Sequence, residues 1–510
     1  MKMFSRIKLT QMMCLLLLSS RQFAAGVDII FSPGTGVTEI YTDNFSILSP
    51  PVNFTKNGLG TTVMRPSDNV GAGIVSGSTT INQGIMELDR TSPSANGNRT
   101  LPNGTIDINS GATLRVLKPN QIGDATTTTI DAGTLTFNAS EYLATITMKN
   151  NATINGSGAF VLNGTSNAGL VATGGGNAGT VSATFAMASD YTDGTTASSP
   201  RTGNGTTPIT VDANTFVTIS GAMTTGLESS PVGSMQKNGL GQLIISGNAE
   251  YLGTTTVAQG TLTLNGLFEK YYWNGSAMVR EPAATTSVSS GAKLNGTGVT
   301  TGPIAGAGTY EPGTSAGILT AASLNPTNGT DFAFEIGSAN PNYGSATSSA
   351  NDVLRLTGSS TPFASALGAS NDVSLYLNLA SVSLGDTFTG GFFTDLSSDF
   401  SGSISNANFA YFILGDGNGT ARTYNGVGYY SLSSLLGLTM DVSTTATTAA
   451  FASGSVNGRV MTLSTVTVPE PSTYVLGLVA STVVAYNARR RRAASASGKS
   501  GHSTFSGRRV

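Results

Sequence analysis

KNGLGQLIISGNAEYLGTTTVAQGTLTLNG, residues Lys237 to Gly266, is the stretch whose reading decides the fold. Threonine and apolar residues alternate on both sides of Gly260, and a period of two places Val257, Leu262 and Leu264 on one face of a strand pair. Gly260 supplies a turn geometry that other residues adopt at a cost. The pentapeptide KNGLG returns at Lys56 to Gly60, and the segment that follows each copy matches too: STTINQGIMEL (Ser78 to Leu88) after the first, TTTVAQGTLTL (Thr254 to Leu264) after the second. Partial copies stand at Ile106 to Leu117, Thr127 to Asn138 and Thr286 to Gly298. Each unit reads as strand, tight turn, strand. One such unit cannot bury its apolar face, but stacked units share a continuous core. The pattern predicts an all-β chain with a β-solenoid over residues 27–340; an antiparallel sandwich of hairpins is the alternative.

After residue 341 the texture changes. Strand-like runs continue, with aromatics at Phe388, Phe392, Phe393, Phe409, Tyr411, Phe412, Tyr429 and Tyr430. They predict a β-rich C-terminal cap domain over 341–467 with these rings as its core. A carbohydrate-binding aromatic platform is the functional alternative.

The unit at Lys237 to Gly266 resembles an autotransporter-associated β-strand repeat. That resemblance implies a right-handed parallel β-helix of the kind found in bacterial surface passengers. The later LNGTGVTTGPIAGAGTYEPGTSAGILTAASL is similar to the closing coils of such passengers, with Pro312-Gly313 and Ser315-Ala316-Gly317 at turns. No outer-membrane barrel follows, so transport by the autotransporter route is not implied.

The two ends carry an address. Lys2, Arg6 and Lys8 precede the apolar run MMCLLLL, and the small residues Ala24, Ala25 and Gly26 follow it, which predicts a signal peptide over 1–26 and export through the secretion translocon. Cys14, the single cysteine, lies inside that segment, so no disulfide supports the mature chain. Near the other end, Ser472 to Ala488 holds no Asp, Glu, Lys or Arg over 17 residues, about 25 Å of helix. It predicts one short transmembrane helix. Arg489, Arg490, Arg491 and Arg492 follow it, and the positive-inside rule keeps that end cytoplasmic while the body lies outside.

Residues 468–492, VPEPSTYVLGLVASTVVAYNARRRR, resemble a PEP-CTERM sorting signal: the motif Pro469, Glu470, Pro471, an apolar helix, then the arginine cluster. The resemblance implies handling by an exosortase, a membrane-embedded cysteine peptidase, and delivery to the cell surface or extracellular matrix. Residues 493–510 continue as a basic tail on the cytoplasmic side.

Charge narrows the partners. Residues 1–26 and 489–510 hold eleven of the 26 basic residues and no acid, leaving 15 basic against 28 acidic residues between them. An acidic body argues against nucleic acid, which requires a basic footprint. His502 is the only histidine and sits in the tail, so histidine-based nucleophilic catalysis and ordinary zinc sites have no residues to use. No cofactor is expected. The best carboxylate cluster is Glu87, Asp89 and Arg90 in MELDR, which reads as a solvated strand edge before it reads as a glycosidic pair. Asp416 and Asn418 in GDGNGT look like a turn, since the further acids of a calcium loop are missing. Asn-Gly-Ser/Thr sequons, Asn295 among them, read as turn chemistry.

These readings converge on an exported, non-catalytic structural or adhesive protein, anchored briefly in the inner membrane through 472–488 and then sorted to the surface or matrix. Extracellular polysaccharide is the expected partner there. A β-helix polysaccharide lyase or hydrolase with the same address is the alternative, and a cleft of clustered carboxylates would distinguish it.

Overall fold

The computed structural model describes most of residues 27–337 and, beyond them, 351–357, 373–378, 391–394, 409–414, 422–431, 439–451 and 454–467. The protein is all-β and built of long parallel sheets in the manner of a β-helix. Three sheets build the described chain: the first runs from Val27–Phe31 to Ser323–Pro326, the second from Thr38–Tyr41 to Val427–Ser431, and the third joins them from Glu141–Leu143 onward. One coil shows the rule: Thr255–Val257 lies in the first sheet, Thr261–Leu264 in the second and Leu267–Trp273 in the third. The next coil repeats it with Thr286–Val288, Lys293–Gly296 and Val299–Thr300.

The strands flanking Gly260 do not pair with each other. Thr255–Val257 pairs in parallel with Ser234–Asn238 before it and Thr286–Val288 after it. Thr261–Leu264 pairs in parallel with Gln242–Ile245 and Lys293–Gly296. The turn therefore redirects the chain from one sheet to the next, which decides for stacked coils over hairpins. Val257, Leu262 and Leu264 all point into the core as their alternation requires, each at most 1% exposed.

The interior is a series of ladders, since in-register parallel strands stack like on like. Phe160 and Phe185 are register partners with rings 4.7 Å apart, and Phe137 stacks on Phe160 at 5.3 Å. All three rings are fully buried, and each is worth about 2–3 kcal/mol by transfer alone. Outside, amides form a ladder of their own: Asn82 donates to Asn57 (2.7 Å) and Asn109 donates to Asn82 (2.6 Å).

The repeated motif has a physical reason. Lys237 is buried at the coil corner, and its Nζ donates to the carbonyls of Asn238 (2.9 Å), Gly239 (2.7 Å) and, one coil on, Gln259 (3.1 Å). Lys56 in the first copy does the same with Gly58 and, at 3.1 Å, Gln83. Burial pulls the Lys237 ammonium down to about 8 and lowers that of Lys56, where the Glu39 charge opposes the shift. The glycine after each glutamine is fixed by the same corner. Gly260 has φ +65, and a Cβ there would lie 2.4 Å from Gly239 O and 2.5 Å from Gly241 O; Gly84 meets Gly58 and Gly60 in the same way. KNGLG and the later QG are thus two halves of one joint between coils. Nothing in the structure explains the motif's leucine, which is exposed in both copies, at Leu59 and Leu240.

Parallel pairing continues beyond residue 341, through Val353–Leu356, Val373–Asn378 and Phe409–Leu414. Antiparallel strands then close two of the three sheets: Arg422–Tyr424 and Val427–Ser431 the second, Thr439–Phe451 and Gly454–Thr467 the third. Among the eight aromatics expected to form a terminal core, Phe388 lies outside the described residues. Tyr429 sits with Tyr376 and Tyr424 in a satellite cluster apart from the main core. Among the described residues no helix is long and apolar enough to cross a membrane. Residues 472–488, where that helix was expected, lie outside them.

Candidate functional site

The acidic cluster of MELDR is taken apart by the coil. Glu87 faces outward from Ile85–Leu88 and pairs with Arg115 of the next coil, while Asp89 pairs with Arg65 of the coil before. Arg90 turns inward and is 1% exposed; its backbone N–H donates to Gln121 Oε1 (3.0 Å), and the Gln121 N–H donates to Glu141 Oε2 (2.6 Å). Each carboxylate is thus ion-paired with an arginine of a different neighbouring coil. Asp416, Asn418 and His502 lie outside the described residues, among which no group of His, Cys, Asp and Glu could hold a metal ion. Asn295 is buried within the strand Lys293–Gly296, and its Oδ1 accepts from its register partner Thr263 (2.6 Å), a strand-to-strand role in place of the turn expected.

A different site emerges where the second sheet ends. Asn425 (φ +50) and Gly426 (φ +76) are both left-handed, as a two-residue type I′ turn requires. The hairpin they close, Arg422–Tyr424 and Val427–Ser431, pairs antiparallel with Phe409–Leu414 and folds back over the outer face of the sheet. Ring contacts hold it down: Tyr376 stacks on Tyr424 at 4.9 Å and meets Tyr429 edge-on at 5.3 Å. Farther along, Lys293 Nζ donates to Asn425 Oδ1 (3.0 Å) and Glu311 Oε2 (2.7 Å) and stands 4.9 Å from the Tyr424 ring centre. Arg422 Nη1 donates to Ser374 Oγ (2.7 Å) at the hairpin's other end.

Between hairpin and sheet lies a cavity of about 210 Å³, lined in part by Glu311, Glu335, Asp352, Asn378, Tyr424 and Tyr429. Its three carboxylates differ in state. Glu311 is neutralised by Lys293. Asp352, 3% exposed, accepts from the backbone N–H of Gly317 through Oδ1 (2.8 Å) and of Glu335 through Oδ2 (2.6 Å). Burial outweighs those bonds and pushes Asp352 up to about 8. Glu335 has no ion-pair partner among the described residues. Tyr424 and Tyr429 are raised by burial first and by the nearby Glu311 second.

The sequence reading missed this cavity, because its acids stand far apart in the chain and meet only through coil stacking. Asn425-Gly426 between TY and VGYY was the available signal, since Asn-Gly between strand-like runs marks a tight hairpin.

Compared with known families, residues 467–492 match the PEP-CTERM protein-sorting motif. The matched segment holds Pro469, Glu470, Pro471 and Arg489 to Arg492 and begins at Thr467, where the last described strand ends; those seven residues themselves lie outside the described part of the structure. A comparison with curated proteins finds no significant match. The chain thus carries, behind a parallel β body, a motif that implies export, passing membrane anchorage and sorting by an exosortase.

Proposed function

We propose that this chain is a non-catalytic structural or adhesive protein of a bacterial surface or extracellular matrix. The observation that carries the reading is the sorting motif at 467–492 directly following a stacked β body. In this reading residues 1–26 are a signal peptide, 27–340 a solenoid of autotransporter-associated β-strand repeats and 341–467 its terminal domain. Residues 468–492 form the sorting signal, with 472–488 as the transient membrane helix, and 493–510 the tail.

The outer surface supports contact with polysaccharide. Ser78, Thr105, Thr127 and Thr145 are register partners on four successive coils and stand outward in a row. Such a face offers many weak hydroxyl contacts in place of one deep pocket. The carboxylate cavity is the observation that would favour a polysaccharide-cleaving enzyme. Against that reading, Glu311 is ion-paired with Lys293 and both Asp352 oxygens accept from backbone N–H groups, so Glu335 is the one cavity acid without such a commitment among the described residues.

Intact mass of the protein from the host's extracellular fraction, beside a lysate of an exosortase-deleted strain, tests the proposal. The mature chain is expected to begin near residue 26 or 27 and end around Pro469 to Pro471. Retention of the arginines and the GHSTFSGRRV tail in both strains would refute release to the matrix.

A further inference from the structure

The cavity beneath the terminal hairpin already shows, at one end, what it can hold. Lys293 places an ammonium between the Glu311 carboxylate, the Asn425 amide oxygen and the Tyr424 ring, a carboxylate, carbonyl and aromatic cradle suited to a primary ammonium. On the cavity side of the same tyrosine the same residue types recur, since Glu335, Asn378 and Tyr429 all line the space. The Tyr424 hydroxyl is shielded from solvent and lies beside the Glu311 carboxylate, which raises it by its charge and by a hydrogen bond short of good geometry. A buried hydroxyl held this loosely gains from a better-placed acceptor or donor on a bound molecule.

We infer that this cavity binds a protonated primary amine carried on a small hydroxylated ring, the chemistry of a de-N-acetylated amino-sugar residue. Charge selects the amine: Glu311 is balanced by Lys293, and Glu335 supplies the remaining negative charge. Size selects a single ring, because about 210 Å³ lies below the roughly 300 Å³ at which drug-sized ligand pockets begin. The hydroxyls select themselves through Asn378 and the Tyr424 hydroxyl, which can each donate and accept. A metal is a poorer fit, since no cluster of ligating side chains exists among the described residues. The inference does not rest on the sorting proposal: intact mass reports where the chain goes, and a binding titration reports what it holds.

The test is calorimetric titration of the purified full chain with glucosamine, N-acetylglucosamine and glucose in turn. Glucosamine is expected to bind, with the two uncharged sugars weaker by about tenfold or more, the range of one hydrogen bond to a charged group. Glu335→Gln should weaken glucosamine by a similar factor with an unchanged far-UV circular dichroism spectrum. Tyr424→Phe removes only the hydroxyl and should cost about three- to tenfold, so it decides the matter if Glu335→Gln fails to fold. Equal affinity for all three sugars, no heat with glucosamine, or a folded Glu335→Gln or Tyr424→Phe variant that binds as before would overturn the inference.

Discussion

Replacing Lys237 with methionine isolates the joint between coils. The thioether fills nearly the same volume but donates nothing, so the carbonyls of Asn238, Gly239 and Gln259 lose the ammonium they share. Each such loss is worth about 1–3 kcal/mol. Against that, the variant no longer buries a charge; the drop of the Lys237 pKa from 10.5 to about 8 corresponds to about 3 kcal/mol of relief. The net expectation is a local destabilisation of about 2–4 kcal/mol, because three bonds outweigh one desolvated ammonium. Hydrogen exchange followed by mass spectrometry should show amides of residues 234–264 exchanging about 30-fold faster or more, with remote coils unchanged. The pH dependence carries a second signature. The folded-state pKa lies below the unfolded value, so between about pH 8 and 10.5 the unfolded chain holds more protons and the wild type gains stability as pH rises. Lys237→Met should lack that gain. Unchanged or increased protection in the variant at pH 7 would refute the view that the buried lysine ties one coil to the next.

Two further substitutions probe packing. Gly260→Ala and Gly111→Ala both force alanine to positive φ (+65 and +74), but only the first meets backbone carbonyls, at 2.4 and 2.5 Å, whereas Gly111 has nothing within 4 Å. Gly111→Ala should cost about 1–2 kcal/mol and Gly260→Ala clearly more, read from the two denaturant midpoints. Phe160→Ala, in the middle of the Phe137, Phe160 and Phe185 stack, should cost about 3–5 kcal/mol by the same measurement.

What could be read in advance was whatever repeats locally. Val257, Leu262 and Leu264 declared their face through alternation, and Gly260 declared a turn, because both depend on neighbours a few residues away. The stacking of coils followed from the smallness of each unit. The role of Lys237 was not legible: a lysine in a turn motif reads as solvated, and only a partner 22 residues on, Gln259, reveals that it points inward. The hairpin cavity was hidden for a similar reason. Lys293 and Asn425 are 132 residues apart and become neighbours because the chain, after several coils, folds a hairpin back along its own outer wall. MELDR shows the converse, in that Glu87 and Asp89, two residues apart in sequence, were sent to arginines of opposite neighbouring coils while Arg90 turned inward.

In-register stacking also turns sequence into distance. The first sheet holds thirteen strands, and at about 4.8 Å per strand they span roughly 60 Å. Each coil pairs with the one before and the one after, so adding or removing a whole coil between the joints at Lys56 and Lys237 would change the reach by one fixed increment and leave the rest in register. The body is in this sense a ruler, and duplication of a coil-length segment is the means by which selection could set how far its terminal hairpin stands from its first coil.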